Sequence, residues 1–132
     1  MFLVDTNVWL ELLLEQQKAH EVRQFLEGRD SGELAITEFS LYSIGIILTR
    51  LKKDDLFADF VSDTVEGSGV LLVRLDGTGL KELLVVQRRF GLDFDDAYQY
   101  VAPGRNTMTL LSFDSDFDRT ERGRKTPAEV VG

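Results

Sequence analysis

Short apolar runs alternate with longer amphipathic stretches along the whole chain. "MFLV" before Asp5, "GELAI", "GVLLVRL" and "MTLLSFD" read as buried strands, because each is brief, apolar and bounded by Gly or Asp. Between them the apolar spacing turns helical. "NVWLELLL" and "KAHEVRQFLEG" read as two helices, the second closed by Gly28. "TEFSLYSIGIILTRLKK" follows as a long helix capped by Thr37, and "DDLFADFVSDTV" as another opened by aspartates. Asp76 opens "GTGLKELLVVQRRF", Gly91 ends it, and "DFDDAYQYVA" begins a short helix. "VAPGRNTMTLL" reads as a shortened loop into a strand, and "AEVV" near the end as a last strand. Strands that alternate with helices imply an α/β fold in which helices flank a small, mostly parallel sheet of four to five strands. With no repeat, linker or low-complexity segment, residues 1–132 are expected to form a single domain.

Two helices carry more apolar surface than one core-facing stripe requires. Val8, Trp9, Leu10, Leu12, Leu13 and Leu14 cover well over half of the first helix. Leu41, Tyr42, Ile44, Ile46, Ile47, Leu48 and Leu51 do the same on the long helix. Deep burial within one chain and contact with a second copy or a partner both account for this excess.

Charge narrows the functional classes. The net charge is −8, from 15 basic and 23 acidic side chains, which argues against a module that grips nucleic acid by bulk electrostatics. Nucleic acid would need something local, such as a bound divalent cation. The absence of cysteine removes disulfides and thiolate metal sites, and the one histidine, His20, rules out a histidine-rich site. His20 and the tandem Arg88 and Arg89 read as wet helix faces. Only four residues precede Asp5, with no basic leader, and no run reaches the roughly 18 apolar residues of a membrane span. A cytoplasmic protein with no membrane contact is expected.

In parallel α/β sheets ligands bind at the carboxyl ends of the strands. Five acids pass that filter: Asp5 ends the first strand, Glu38 starts the helix after the second, Asp96 lies in the first turn of a later helix, Asp114 ends "MTLLSFD", and Asp76 follows the third strand. Brought together they would repel one another unless a hard cation joined them, and carboxylates without His or Cys favour Mg2+ or Mn2+. Such a site suits metal-dependent hydrolysis of a phosphoryl group or a phosphodiester. Each acid, Asp76 included, also has a plain reading as a helix cap or dipole partner. In "DFDDAY", Asp93 reads as the cap, Asp96 as the site carboxylate, and Asp95, about 100° away round the helix, as its competitor.

The residues that pass the filter also carry a resemblance. "FLVDTNVWLELL" holds Asp5, Thr6 and Asn7 as a D-[ST]-N motif, "AITEFSLYSIG" holds Glu38, "LDFDDAYQY" holds Asp96 followed by Ala97, and "LLSFDSDF" holds Ser112, Asp114 and Asp116. In this order and spacing the chain resembles PIN-domain ribonucleases, especially short toxins of the VapC type, almost end to end. The resemblance implies a PIN-like three-layer α/β/α sandwich and a Mg2+- or Mn2+-dependent ribonuclease that leaves a 5′-phosphate and a 3′-hydroxyl. Asp5, Glu38, Asp96 and Asp114 would hold the metal directly or through water, with Asp116 assisting. Thr6, Asn7 and Ser112 would orient the carboxylates by hydrogen bonds. It returns Asp76 to the role of a cap.

RNA would be the substrate, with Arg119, Arg122, Arg124 and Lys125 in "RTERGRK" as candidates for gripping its backbone; a solvated charged loop is the plain reading of the same residues. A small antitoxin covering an apolar groove at the first helix, with Trp9, and a homodimer are further implications. Two rivals remain. One is a catalytically idle PIN-like module that binds RNA or assembles proteins. The other is a receiver-like signalling domain, which needs an acidic pair after its first strand and a lysine after its last, and neither is present.

Overall fold

The computed structural model describes residues 1–105 and 107–131, with the side chain of Arg105 left aside. Four strands, β1 (Phe2–Val4), β2 (Leu34–Thr37), β3 (Leu71–Val73) and β4 (Thr109–Leu111), are all paired in parallel in the order β3-β2-β1-β4. Helices α1 (Thr6–Leu13) and α2 (Ala19–Glu27) join β1 to β2, α3 (Glu38–Arg50) and α4 (Asp54–Thr64) join β2 to β3, and α5 (Gly77–Phe90) and α6 (Phe94–Arg105) join β3 to β4.

The period of two along each strand builds the layers. Leu3, Ala35, Val73 and Leu110 point into a core shared with Leu83 of α5 and Ala97, Tyr98 and Val101 of α6. Val4, Leu34, Ile36 and Leu111 point to the opposite face, against Val8 and Trp9, Val22 and Phe25, Ile44 and Leu48, and Phe60 of α1 to α4. Helices therefore cover both faces of the sheet, the three-layer sandwich expected. The chain moves outward from β1 through β2 to β3, then returns to the other side of β1 as β4. That return makes the carboxyl ends of β1 and β4 the topological switch point, where a crevice opens.

Capping follows the sequence. Asp5 Oδ1 accepts the Thr6 N–H at 2.8 Å, Thr37 Oγ1 accepts the Ser40 N–H at 2.9 Å, and Asp76 Oδ1 accepts the Gly79 N–H at 2.8 Å. Gly91 ends α5 with φ 64°, a left-handed conformation that glycine adopts without strain. Asp93 occupies the cap position of α6 through its carbonyl, which accepts the Ala97 N–H at 2.9 Å; no capping bond from its side chain appears among the described residues.

Two expectations are corrected. α6 continues through Pro103 to Arg105 where a shortened loop was expected. A proline forfeits only one intrahelical bond, and in the last turn its missing N–H interrupts little, while Tyr100, Val101 and Ala102 gain burial. Asn106, within the same expected loop, lies outside the described residues. The "AEVV" segment forms a 3-10 turn, Pro127–Val130, instead of a strand. Thr126 and Glu129 close a capping box around it, so the local chemistry favours a turn over an edge strand. Among the described residues no helix is long and apolar enough to cross a membrane.

Candidate functional site

Asp5 follows β1 directly, and its position is fixed by its own N–H, which donates to the Leu111 carbonyl of β4 at 2.9 Å. The residue is 5% exposed, and its carboxylate accepts four hydrogen bonds. Oδ1 takes the Thr6 N–H at 2.8 Å and Gln99 Nε2 at 3.0 Å; Oδ2 takes Ser112 Oγ at 2.7 Å and Asn7 Nδ2 at 3.4 Å. A carboxylate offers about four lone-pair positions, so this set leaves Asp5 saturated. Burial raises its pKa above the usual carboxylate range, while the bonds from Ser112, Gln99 and Thr6 oppose that shift.

The segment after β4 is folded back by the same groups. Asn7 Oδ1 accepts the Phe113 N–H at 3.1 Å, Ser112 Oγ accepts the Asp114 N–H at 3.0 Å, and Asp114 Oδ1 accepts the Asp116 N–H at 2.8 Å. These bonds bring Asp114 and Asp116 toward Asp96 in the first turn of α6. Carboxylate oxygens of Asp96, Asp114 and Asp116 lie within 4.8 Å of one another. Burial first, then the charges of Asp114, Asp95 and Asp5, push the Asp96 carboxyl up to about 7, helped by a carboxyl–carboxylate hydrogen bond with Asp114. Three half-buried carboxylates this close, with oxygen donors only, fit a hard divalent cation.

A cleft of about 360 Å³ opens over these groups, lined by Asp5, Asp95, Asp96, Gln99 and Asp114 and walled by Leu10, Phe39 and Ile47. Asp95 is exposed, whereas half-buried Asp96 belongs both to the set with Asp114 and Asp116 and to a more exposed set with Asp93 and Asp95. Asp96 is thus the member of the aspartate pair that faces the residues after β4.

Glu38 is not brought to this cleft. It pairs with Arg74 at 3.8 Å, accepts the Tyr42 hydroxyl at 3.0 Å, and lines a neighbouring pocket on the far side of Phe39. The reason is helix phase: Ser40, about 200° round α3 from Glu38, is the first-turn residue that faces the site. Its Oγ contacts Thr6 Oγ1 at 2.7 Å and accepts from Gln99 Nε2 at 2.8 Å. Gln99 and Ser40 escaped sequence reasoning because neutral side chains carry no charge signal. The usable clue was position: Gln99 lies one turn after Asp96, on the same helix face.

Three of the four basic residues after β4 are engaged within the chain. Arg119 donates to Asp116 and to the carbonyls of Phe90 and Gly91. Arg122 stacks on Tyr100, 4.0 Å from the ring centroid, and bonds the Tyr100 carbonyl. Arg124 bonds Asp118 and the Ser112 carbonyl. Lys125 is exposed, and its backbone pairs with Leu110 and Ser112 beside β4.

On the α1–α2–α4 face lies a separate groove of about 340 Å³, lined by Trp9, Leu12, Leu13, Leu26, Leu56 and Phe60 among others. Trp9 Nε1 is buried there without a partner among the described residues.

Comparisons with known proteins agree with this geometry. No curated protein matches the chain in sequence. Among solved structures, one from a toxin–antitoxin complex of Klebsiella pneumoniae superposes with a TM-score of 0.77 at 16% identity, covering 96% of this chain and 98% of that one. VapC20 of Mycobacterium tuberculosis, described as a sarcin–ricin loop cleaving toxin, superposes with a TM-score of 0.77 at 13% identity, covering 89% and 93%. FitAcB of Neisseria gonorrhoeae gives 0.72 at 16% identity, covering 96% and 98%. The PIN domain family model matches residues 2–123. With strand ends, acids and sequence model in agreement, the chain belongs to the PIN-domain family.

Proposed function

We propose that this protein is a divalent-metal-dependent endoribonuclease of the cytoplasm, the toxin of a toxin–antitoxin pair. The observation that carries the proposal is the gathering of Asp96, Asp114 and Asp116 at the switch point of a parallel sheet, on a PIN-domain chain. Asp96, Asp114 and Asp116 would hold Mg2+ or Mn2+. Bound there, the cation would lower the pKa of a water and offset charge on the phosphodiester. Asp5 would act from behind, its saturated carboxylate fixing Ser112 and, through it, the Asp114 backbone. Leu10, Phe39 and Ile47 would give the cleft an apolar wall for a base to lie against.

The antitoxin belongs to the same proposal. A helix with apolar side chains would fit the groove beside Trp9, in keeping with a structural neighbour solved in a toxin–antitoxin complex. A second copy of the chain would cover the exposed apolar residues Tyr42 and Ile46 on α3 and Leu80 and Leu84 on α5.

The test is cleavage of RNA by purified protein without metal, with Mg2+ and with Mn2+. Activity that needs the metal, yields 5′-phosphate ends and falls by at least about 100-fold in Asp96→Asn and Asp114→Asn is expected. Folded wild-type protein that cleaves no RNA with either metal would favour the idle binding module instead. Cleavage unchanged in both variants would place the chemistry elsewhere.

A further inference from the structure

Gln99 is 2% exposed, on the α6 face that carries Asp96, and its carboxamide is fully committed. Thr37 Oγ1 already accepts the Ser40 N–H, and its own hydroxyl donates to Gln99 Oε1 at 2.7 Å. Gln99 Nε2 then donates to Asp5 Oδ1 at 3.0 Å and to Ser40 Oγ at 2.8 Å. A carboxylate cannot donate, so the nitrogen must face Asp5, and the amide has one allowed orientation. The chain of bonds continues from Asp5 Oδ2 to Ser112 Oγ, and from Ser112 Oγ to the Asp114 N–H.

We infer that Gln99 is a positioning residue of the candidate site: its amide locks Asp5 and, through Ser112, sets Asp114 against Asp96. It ties α6 to the ends of β1 and β2 and to the first turn of α3. The inference rests on the metal-site reading above. Groups behind metal ligands typically change metal affinity by about 10- to 100-fold when removed.

Gln99→Met keeps length and burial but removes both donors and the acceptor. Expected is Mn2+ binding to metal-free protein, measured by calorimetry, weakened by about tenfold or more, with kcat lowered and the KM for a labelled RNA within about twofold. A residue that merely packs would lower the melting temperature and leave Mn2+ affinity intact, and that result overturns the inference. Should Gln99→Met fail to fold, Thr37→Val frees the amide to turn over. A weakening of about threefold or more then supports the inference, and unchanged affinity overturns it. Wild-type protein that binds Mn2+ with Asp96→Asn that does not, alongside Gln99→Met that binds normally, defeats the inference alone. Wild-type protein that binds no Mn2+ and cleaves no RNA defeats the site reading and this inference together.

Discussion

Asp96 carries a measurable cost of site formation. Its carboxyl is pushed up to about 7 by burial and by neighbouring aspartates, from an ordinary value of 3.8. The folded protein therefore holds a proton that the unfolded chain has released, so proton binding stabilises the metal-free fold fully below about pH 4 and is lost as pH rises through about 7. The melting temperature of metal-free protein is expected to fall from pH 5 to pH 8, and Asp96→Asn to flatten that slope. Mn2+ should raise the wild-type melting temperature more at pH 8 than at pH 5.5, because the ion competes with the proton for the same oxygens. A pH-independent melting temperature in wild-type protein would contradict the crowding of these acids. The same residues show what a sequence conveys at this scale. Asp5, Asp96 and Asp114 announce themselves as acids at predicted strand ends and helix starts. Glu38 does too, yet two residues of helix phase turn it away from the cleft, and phase depends on how α3 docks, which pairwise spacing does not encode.

Helix docking also turns on one glycine in α3. A Cβ at Gly45 would lie 2.8 Å from Phe57 Cζ and 3.2 Å and 3.3 Å from its Cε2 and Cε1, so the close approach of α4 depends on the missing side chain. Alanine in a helix interior gains up to about 1 kcal/mol over glycine, whereas overpacking costs about 1–3 kcal/mol. Gly45→Ala is expected to be net destabilising in thermal or urea unfolding, and Phe57→Leu in the same chain to recover most of the loss. A more stable Gly45→Ala protein would mean that Phe57 swings aside freely. The periodic helices α1 to α5 were legible because apolar spacing, Thr37, Asp76 and Gly91 all marked them. The end of α6 was not, because Pro103 and Gly104 normally stop a helix; burial of Tyr100, Val101 and Ala102 overrides that local preference. Similarly, "AEVV" has strand-like residues, but the Thr126–Glu129 capping box favours a turn.

For the molecule as a whole, charge constrains how RNA, the proposed substrate, would be held. The net charge of −8 opposes RNA at a distance, and Arg119, Arg122 and Arg124 already bond acids, carbonyls and a ring within the chain. Breaking those contacts to reach phosphates would loosen the segment that positions Asp114 and Asp116. On the proposed function, grip would then come chiefly from the cation and the apolar wall of the cleft, with few phosphate contacts. Each phosphate contact adds about 0.7 to the slope of log affinity against log salt for single strands, and a surface making six to ten contacts to duplex loses about 10³- to 10⁵-fold between 50 and 200 mM salt. Here, at fixed Mg2+, the KM for RNA is expected to rise by less than about tenfold over the same range, which corresponds to roughly two contacts. Arg119→Ala, for its part, should lower the melting temperature, since its guanidinium ties Asp116 to the end of α5, while leaving the salt slope unchanged. A steep slope that Arg119→Ala flattens would show instead that the arginines leave their internal partners when RNA arrives.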